Sequence, residues 1–317
     1  MTSIRALELD DNLLTEIPTA IIDLPILQQL SLSNNRIRSI PSGLLQKCPQ
    51  LALLELRGNP LAAVHPDAFA SLPHLRRLIV SDARELSDFP NLNGTAALEI
   101  LRLDRASLHE VPSSLCTTCP RLKSLELSGN QIATLEGQPF ANQARLHDLL
   151  LSHNKIPRVP VDAFVGLVKL QVLDLESNQI EDIHPDAFTH FTQLEDLNLG
   201  NNVFPHLPER GLSRLLHLKT FNNPALREFP GPQHFPRVLT LALSYAYHCC
   251  AFLPLVQHAK DEEDEPSSNA RSKIHDTVLF PDSGVELDLS LWNASSYADI
   301  WPQLREYRKK YIISNIA

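Results

Sequence analysis

The sequence predicts an α/β fold built as a curved solenoid, a horseshoe with parallel strands on its concave face. Three observations predict it. A short apolar motif recurs along most of the chain at nearly constant spacing. The segments between copies carry an apolar register of their own. Hydrophobic residues make up 43% of the 317, enough for a continuous core, yet no single copy could bury its apolar side alone.

The motif is L-x-x-L-x-L-x-x-N. It reads Ile4-Leu7-Leu9-Asn12, Leu27-Leu30-Leu32-Asn35 and Leu51-Leu54-Leu56-Asn59 in repeats 1 to 3. Repeats 4 and 5 read Leu75-Leu78-Val80-Ala83 and Leu98-Leu101-Leu103-Ala106, and repeats 6 to 9 end at Asn130, Asn154, Asn178 and Asn202. An irregular tenth copy, Leu215-Leu218-Thr220-Asn223, precedes a last strand at Val238-Leu241-Leu243. The Asn-equivalent positions step by 23 or 24 residues from 12 to 202, then by 21 and 23 to Ala246. Eleven copies in register define a leucine-rich-repeat solenoid. The leucines point inward, and the Asn side chain replaces backbone partners lost where the chain bends out of the strand. With Ala83 and Ala106 in that place, the turns of repeats 4 and 5 should be less well held. Repeats 4 and 10 carry one extra residue before their next apolar pair (ARELSDFP, NPALREFP), which predicts a local kink at both.

The convex side has two apolar rows. Ten residues after the Asn position lie Ile22, Leu45, Phe69, Cys116, Phe140, Phe164, Phe188 and Leu212. Thirteen residues after it lie Cys48, Leu72, Cys119, Leu167 and Phe191. Cys116-x-x-Cys119 has the spacing of a redox pair or half a zinc site. Both residues fall where other repeats place Phe or Leu, as does Cys48, so the register reads all three as buried, metal-free thiols. No metal or cofactor is expected.

Composition narrows the function. A net charge of −9 argues against a nucleic-acid partner, which needs a basic surface. No apolar stretch approaches the ~18 residues of a membrane span. The start, MTSIRALELDDN, lacks the apolar region of a signal peptide. The 13 histidines are scattered, and His65 and His184 recur in HPDAF as a turn element. There is no nucleophile motif, no Gly-rich phosphate loop and no HExxH, so the chain reads as a binding protein and not an enzyme.

Binding in such a solenoid belongs to the concave face, where the residues alternating with the buried leucines point. Repeats 3 to 5 supply Leu53, Glu55, Arg57, Arg77, Ile79, Ile100, Arg102 and Arg105, a mostly basic group. Repeats 6 to 9 supply Glu126, Asp148, Leu150, Val172, Asp174, Glu176, Asp196 and Asn198, acidic with an apolar stripe. Each residue alone is ordinary surface. A run of like charge across four repeats suits a protein ligand with a basic patch, with Ile79, Ile100, Leu150 and Val172 as exposed apolar anchors.

After the last strand comes SYAYHCCAF, residues 244 to 252, which resembles the C-terminal cap of the leucine-rich-repeat G-protein-coupled receptors. FPNLNGT (89–95) with SLC (114–116) resembles the type B branch, which holds the R-spondin receptors of vertebrates and the bursicon receptor of insects. The tail ELDLSLWNASSYADIWPQL (286–304) is most similar to the bursicon receptor hinge, while 305–317 does not match that pattern. The resemblance implies a domain at 1–252 that binds a cystine-knot protein hormone at the extracellular side of the plasma membrane. It further implies a hinge at 253–317 and a seven-helix membrane domain, coupled to a heterotrimeric G protein, outside this chain. It implies that Cys249 and Cys250 form disulfides with hinge cysteines, which this chain does not contain after them. A chain cut from a longer receptor would account for those absent partners.

The stretch 258–276, HAKDEEDEPSSNARSKIHD, is too polar to bury apolar surface and should be disordered. Residues 278 to 301 regain an alternating apolar pattern suited to docking on the cap. Asn93-Gly-Thr95 and Asn293-Ala-Ser295 are N-glycosylation sequons. Asn93 should lie exposed on the convex or lateral side, since its repeat is one residue short and Leu92 can take the buried place. Two alternatives remain: a receptor for an R-spondin-like ligand, and an intracellular leucine-rich-repeat scaffold, which would suit the core thiols.

Overall fold

The computed structural model describes residues 3–252 and two short strands, Thr277–Leu279 and Glu286–Asp288; of those strands and of Cys116, Cys250 and Ala251 only the backbone is described. Each of the eleven copies forms a three-residue strand, from Ala6–Glu8 to Thr240–Ala242, and all pair in parallel. The central leucines fall in one line, Leu7 opposite Leu30, Leu30 opposite Leu54, and so on to Leu218 opposite Leu241. Strands this short persist because every leucine of the line from Leu30 to Leu218 is almost wholly buried against the next repeat. Thr277–Leu279 extends the sheet in parallel beyond Thr240–Ala242, and Glu286–Asp288 pairs antiparallel to it. The acidic stretch 258–276 and residues 305–317 lie outside the described residues.

The chain returns along the convex back in single turns, 3-10 at Thr19–Asp23 and Leu45–Lys47 and α-helical at Leu115–Thr118. The two convex rows are buried much as the register requires. Phe140, Phe164 and Phe188 stack at 6.5 and 6.3 Å between ring centroids, and Phe191 of the second row lies 5.3 Å from Phe164. One member of the first row was misplaced: Ile22 is 48% exposed and Ile21 takes the buried position. The return after Asn12 has 23 residues instead of 24, so the inward position comes one residue early. The same shortening after Ala83 buries Leu92 and turns Asn93 outward to solvent. Cys48 and Cys119 are fully buried. The Cys116 side chain lies outside the described residues.

The Asn positions form a ladder. The Asn154 amide donates to the carbonyls of Leu127, Leu151 and Ser152 at 3.0 to 3.2 Å, and its oxygen accepts the Ile132 N–H of the preceding repeat at 3.0 Å. Asn35, Asn59, Asn130, Asn178 and Asn202 repeat this scheme. The residue before each ladder position has a positive φ, at Asp11, Asn34, Gly58, Asp82, Arg105, Gly129, His153, Ser177, Asn201 and Asn222. At Ala83 and Ala106 the rungs are absent. The Leu61 N–H, which a rung at position 83 would take, bonds instead to the Asn59 carbonyl at 2.8 Å. The extra residue in repeats 4 and 10 is absorbed in a local turn, Leu86 N–H to Ala83 and Leu226 N–H to Asn223, and strand register continues unbroken across both.

Candidate ligand-binding face

Two columns of side chains flank the buried leucine line on the concave face. One runs Leu53, Arg77, Ile100, Ser124, Asp148, Val172, Asp196 and His217; the other runs Glu55, Ile79, Arg102, Glu126, Leu150, Asp174, Asn198 and Lys219. The predicted acidic stripe therefore zigzags, with Glu126 and Asp174 in one column and Asp148 and Asp196 in the other.

The basic group of repeats 3 to 5 lines a depression of about 420 Å³ with Glu55, Ser81, Asp104 and Glu126. Its charges are largely paired. Arg57 lies 3.6 Å from Asp82, Arg102 lies 3.2 Å from Glu126, and Arg105 contacts both Asp82 and Asp104. The Arg105 hydrogen bond holds the Asp82 carboxyl below its usual range and raises the Arg105 guanidinium. Ser81, itself buried, donates to the buried Asp104. Arg77 is exposed and makes no ion pair among the described residues. The mostly basic group is thus embedded in an ion-pair network in which neighbouring acids largely balance its charge. Sequence reading missed Ser81, Asp82 and Asp104. The signal lay in the ladder gaps, since Asp82 and Arg105 directly precede Ala83 and Ala106.

Ile79 is also corrected: it is 9% exposed, not an open anchor. It sits in register between Glu55 and Arg102 on the neighbouring strands. Ile100, Leu150 and Val172 are half-buried and remain accessible.

Repeats 7 to 9 keep their negative character. Asp148, Asp174, Glu176 and Asp196 are half-buried on the face; among the described residues the His217 ring lies 4.0 Å from Asp196, and Lys219 acts on Asp174 from farther off. Burial raises the Asp174 carboxyl, against the Glu176 backbone N–H that it accepts at 3.0 Å. Burial also raises Glu126, helped by Asp104 and opposed by Arg102 and Arg105. Glu176 is occupied by the amides of Asn198 and Asn201 at 2.7 and 3.0 Å. Asp148, at the centre of the face, is half-buried and makes no ion pair among the described residues.

The cap closes the far end with Phe229, Phe235, Phe252 and His248, ring centroids 5.3 to 6.5 Å apart. Tyr245 and Tyr247 stack at 5.2 Å and donate to the carbonyls of Pro224 and Arg227. The Cys249 thiol contacts the Ala246 carbonyl; the side chain of Cys250, and Asn293 altogether, lie outside the described residues. Among the described residues no group of three or more His, Cys, Asp or Glu is placed to hold a metal ion, and no helix is long and apolar enough to cross a membrane.

The leucine-rich-repeat family model matches residues 2–61, 27–84, 96–156 and 144–204. The chain is 39% identical over 239 residues to the leucine-rich repeat-containing G-protein coupled receptor 5 of Xenopus tropicalis, covering 75% of this chain and 26% of that receptor. It is 43% identical over 238 residues to the leucine-rich repeat-containing G-protein coupled receptor 6 of Homo sapiens, covering 75% and 24%. The chain thus spans about a quarter of the length of the curated relatives it matches. Among solved structures, the TLR13–ssRNA13 complex superposes with a TM-score of 0.66 at 24% identity, over 77% of this chain and 36% of that one, a likeness of fold. With family repeats matched over most of the concave sheet and the Asn ladder running between them, the chain belongs to the leucine-rich-repeat family.

Proposed function

We propose that the chain is the ligand-binding part of the extracellular region of a type B leucine-rich-repeat G-protein-coupled receptor, with a repeat domain at 1–252 and a hinge at 253–317. In this reading it binds a cystine-knot protein hormone of the bursicon type at the plasma membrane. It signals through a membrane domain and a heterotrimeric G protein. The observation that carries the reading is the 39 to 43% identity, over three-quarters of the chain, to proteins named leucine-rich repeat-containing G-protein coupled receptors. The acidic concave surface of repeats 7 to 9 supports a ligand with a basic patch, because complementary charge steers encounter and orientation. Ile100, Leu150 and Val172 supply apolar contact within it.

The test is binding of the immobilised full chain to a bursicon-type hormone, and in parallel to an R-spondin-like protein, at two salt concentrations. Asp148→Lys with Asp196→Lys is the variant of choice, since Asp174 also holds the Glu176 backbone. The double reversal is expected to slow association several-fold and flatten its salt dependence, with the fold intact. Unchanged association rates would move the ligand off this face. Preference for the R-spondin-like protein would reassign the ligand, and binding of neither would favour the scaffold reading.

A further inference from the structure

We infer that Asn93 carries an N-linked glycan on the convex back of repeat 4, and that the glycan is attached before this repeat folds. The inference rests on the extracellular reading above. Asn93 holds the register position that Phe69 and Phe140 fill in the 24-residue repeats, but the short return puts Leu92 in the core and leaves the Asn93 side chain exposed. Local hydrogen bonds hold the corner. Asn93 N–H donates to Asn91 Oδ1 at 3.0 Å, and Thr95 N–H returns to the Leu92 carbonyl at 3.1 Å. Gly94 has φ +95, and a Cβ there would stand 2.7 Å from the Ser71 nitrogen, so its backbone lies hard against the preceding repeat and Asn93 is turned away from it.

The third residue of the sequon fixes the order of events. The acceptor motif requires a hydroxyl two residues after the Asn. The Thr95 hydroxyl is fully buried in the folded chain, donating to the Leu92 carbonyl at 2.8 Å and lying 3.6 Å from the Cys119 sulfur. A transferase that must read this hydroxyl has no access to it once repeat 4 has stacked. In the transfer, the Asn93 amide nitrogen bonds to the anomeric carbon of a lipid-diphosphate oligosaccharide and loses one proton. The bond from that carbon to the diphosphate oxygen breaks, and the diphosphate leaves on the lipid. The finished glycan projects from the back of the solenoid, so it screens the convex surface of repeat 4 and leaves the concave columns open.

Two measurements test this. The full chain is secreted from insect cells behind a secretion leader in an Asn293→Gln background. The tryptic peptide Glu85–Arg102 is then analysed after glycosidase release in heavy-oxygen water, which separates glycan loss from spontaneous deamidation at Asn93-Gly94. Most of the peptide is expected to carry glycan, lost in Asn93→Gln and kept in Thr95→Ser. In the second, bacterially made full chain is offered to microsomal transferase with the lipid-linked donor, either folded or just diluted from urea. At least tenfold more transfer to the unfolded chain is expected. A bare peptide from the secreted chain, or equal transfer to folded and unfolded chain, overturns the inference. A secreted chain that binds hormone with Asn93 bare sinks this inference alone; a glycosylated chain that binds neither ligand sinks the receptor reading alone.

Discussion

Replacing Asn154 by Ala removes one rung from the middle of the ladder. Its amide has two hydrogens, shared among three carbonyls at 3.0 to 3.2 Å, and its oxygen accepts one buried N–H. That amounts to three hydrogen bonds' worth of interaction, each contributing about 1 kcal/mol net. The native Ala83 turn limits the loss, because Leu61 N–H there finds a backbone substitute at 2.8 Å. The expected destabilisation is about 2–3 kcal/mol. Asn12 is the internal control. It is exposed, and among the described residues it bonds only to the carbonyls of Leu9 and Asp10 in its own repeat. Asn12→Ala should cost well under ~1 kcal/mol. Urea unfolding of the full chain, followed by circular dichroism, reads the difference as a midpoint shift of about 1 M for Asn154→Ala. Hydrogen exchange at the Ile132 amide localises it. Coincident midpoints for the two variants would refute the rung energetics.

His248 is buried, its Nδ1 without a hydrogen-bond partner among the described residues while Nε2 faces the Arg227 carbonyl at 3.2 Å, and burial lowers its pKa. The unfolded chain therefore binds the proton more readily, so stability present above the unfolded value near 6.5 should fall as pH drops below it; His248→Gln should remove that acid dependence in thermal melts. Burial raises the thiols of Cys48 and Cys119, so both should resist iodoacetamide at neutral pH in the native chain and react once it is unfolded, as read by mass spectrometry. Phe164→Ala, which empties the centre of the stacked convex rings, should cost about 3–5 kcal/mol in urea unfolding, against a much smaller effect for the 43%-exposed Val168.

The fold was legible because its information is periodic: one residue type at one spacing fixes strand, core and turn together. Where the period slips, reading by fixed offset fails. Ile22 was placed inside by counting ten from Asn12, yet the shortened return brings Ile21 inward, by the same logic that correctly put Leu92 inside and Asn93 out. The candidate face was legible in its acidic half, while in repeats 3 to 5 the acids that balance the arginines were not. Arg105 finds Asp82, 23 residues earlier, because stacking sets the two corners side by side. Composition along one strand carries no trace of that. Ile79 differs from the expectation too: strand alternation turns it toward the face, yet between two neighbouring strands it is only 9% exposed.

The ten left-handed corners bear on which residues this surface can vary. A side chain branched at Cβ is the kind that such a backbone tolerates least. The corners hold Asp, Asn, Gly, Arg, His and Ser, and not one Val, Ile or Thr in ten places. Each corner residue adjoins the concave face with its main chain fixed by the stack and its side chain at the rim. At the eight corners that are not glycine, charge and hydrogen bonding can be exchanged under one spelling rule, no branching at the first carbon; at Gly58 and Gly129 an added Cβ would run into Asn34 Oδ1 and stand 3.0 Å from Arg105 Cγ respectively, so those two places favour glycine.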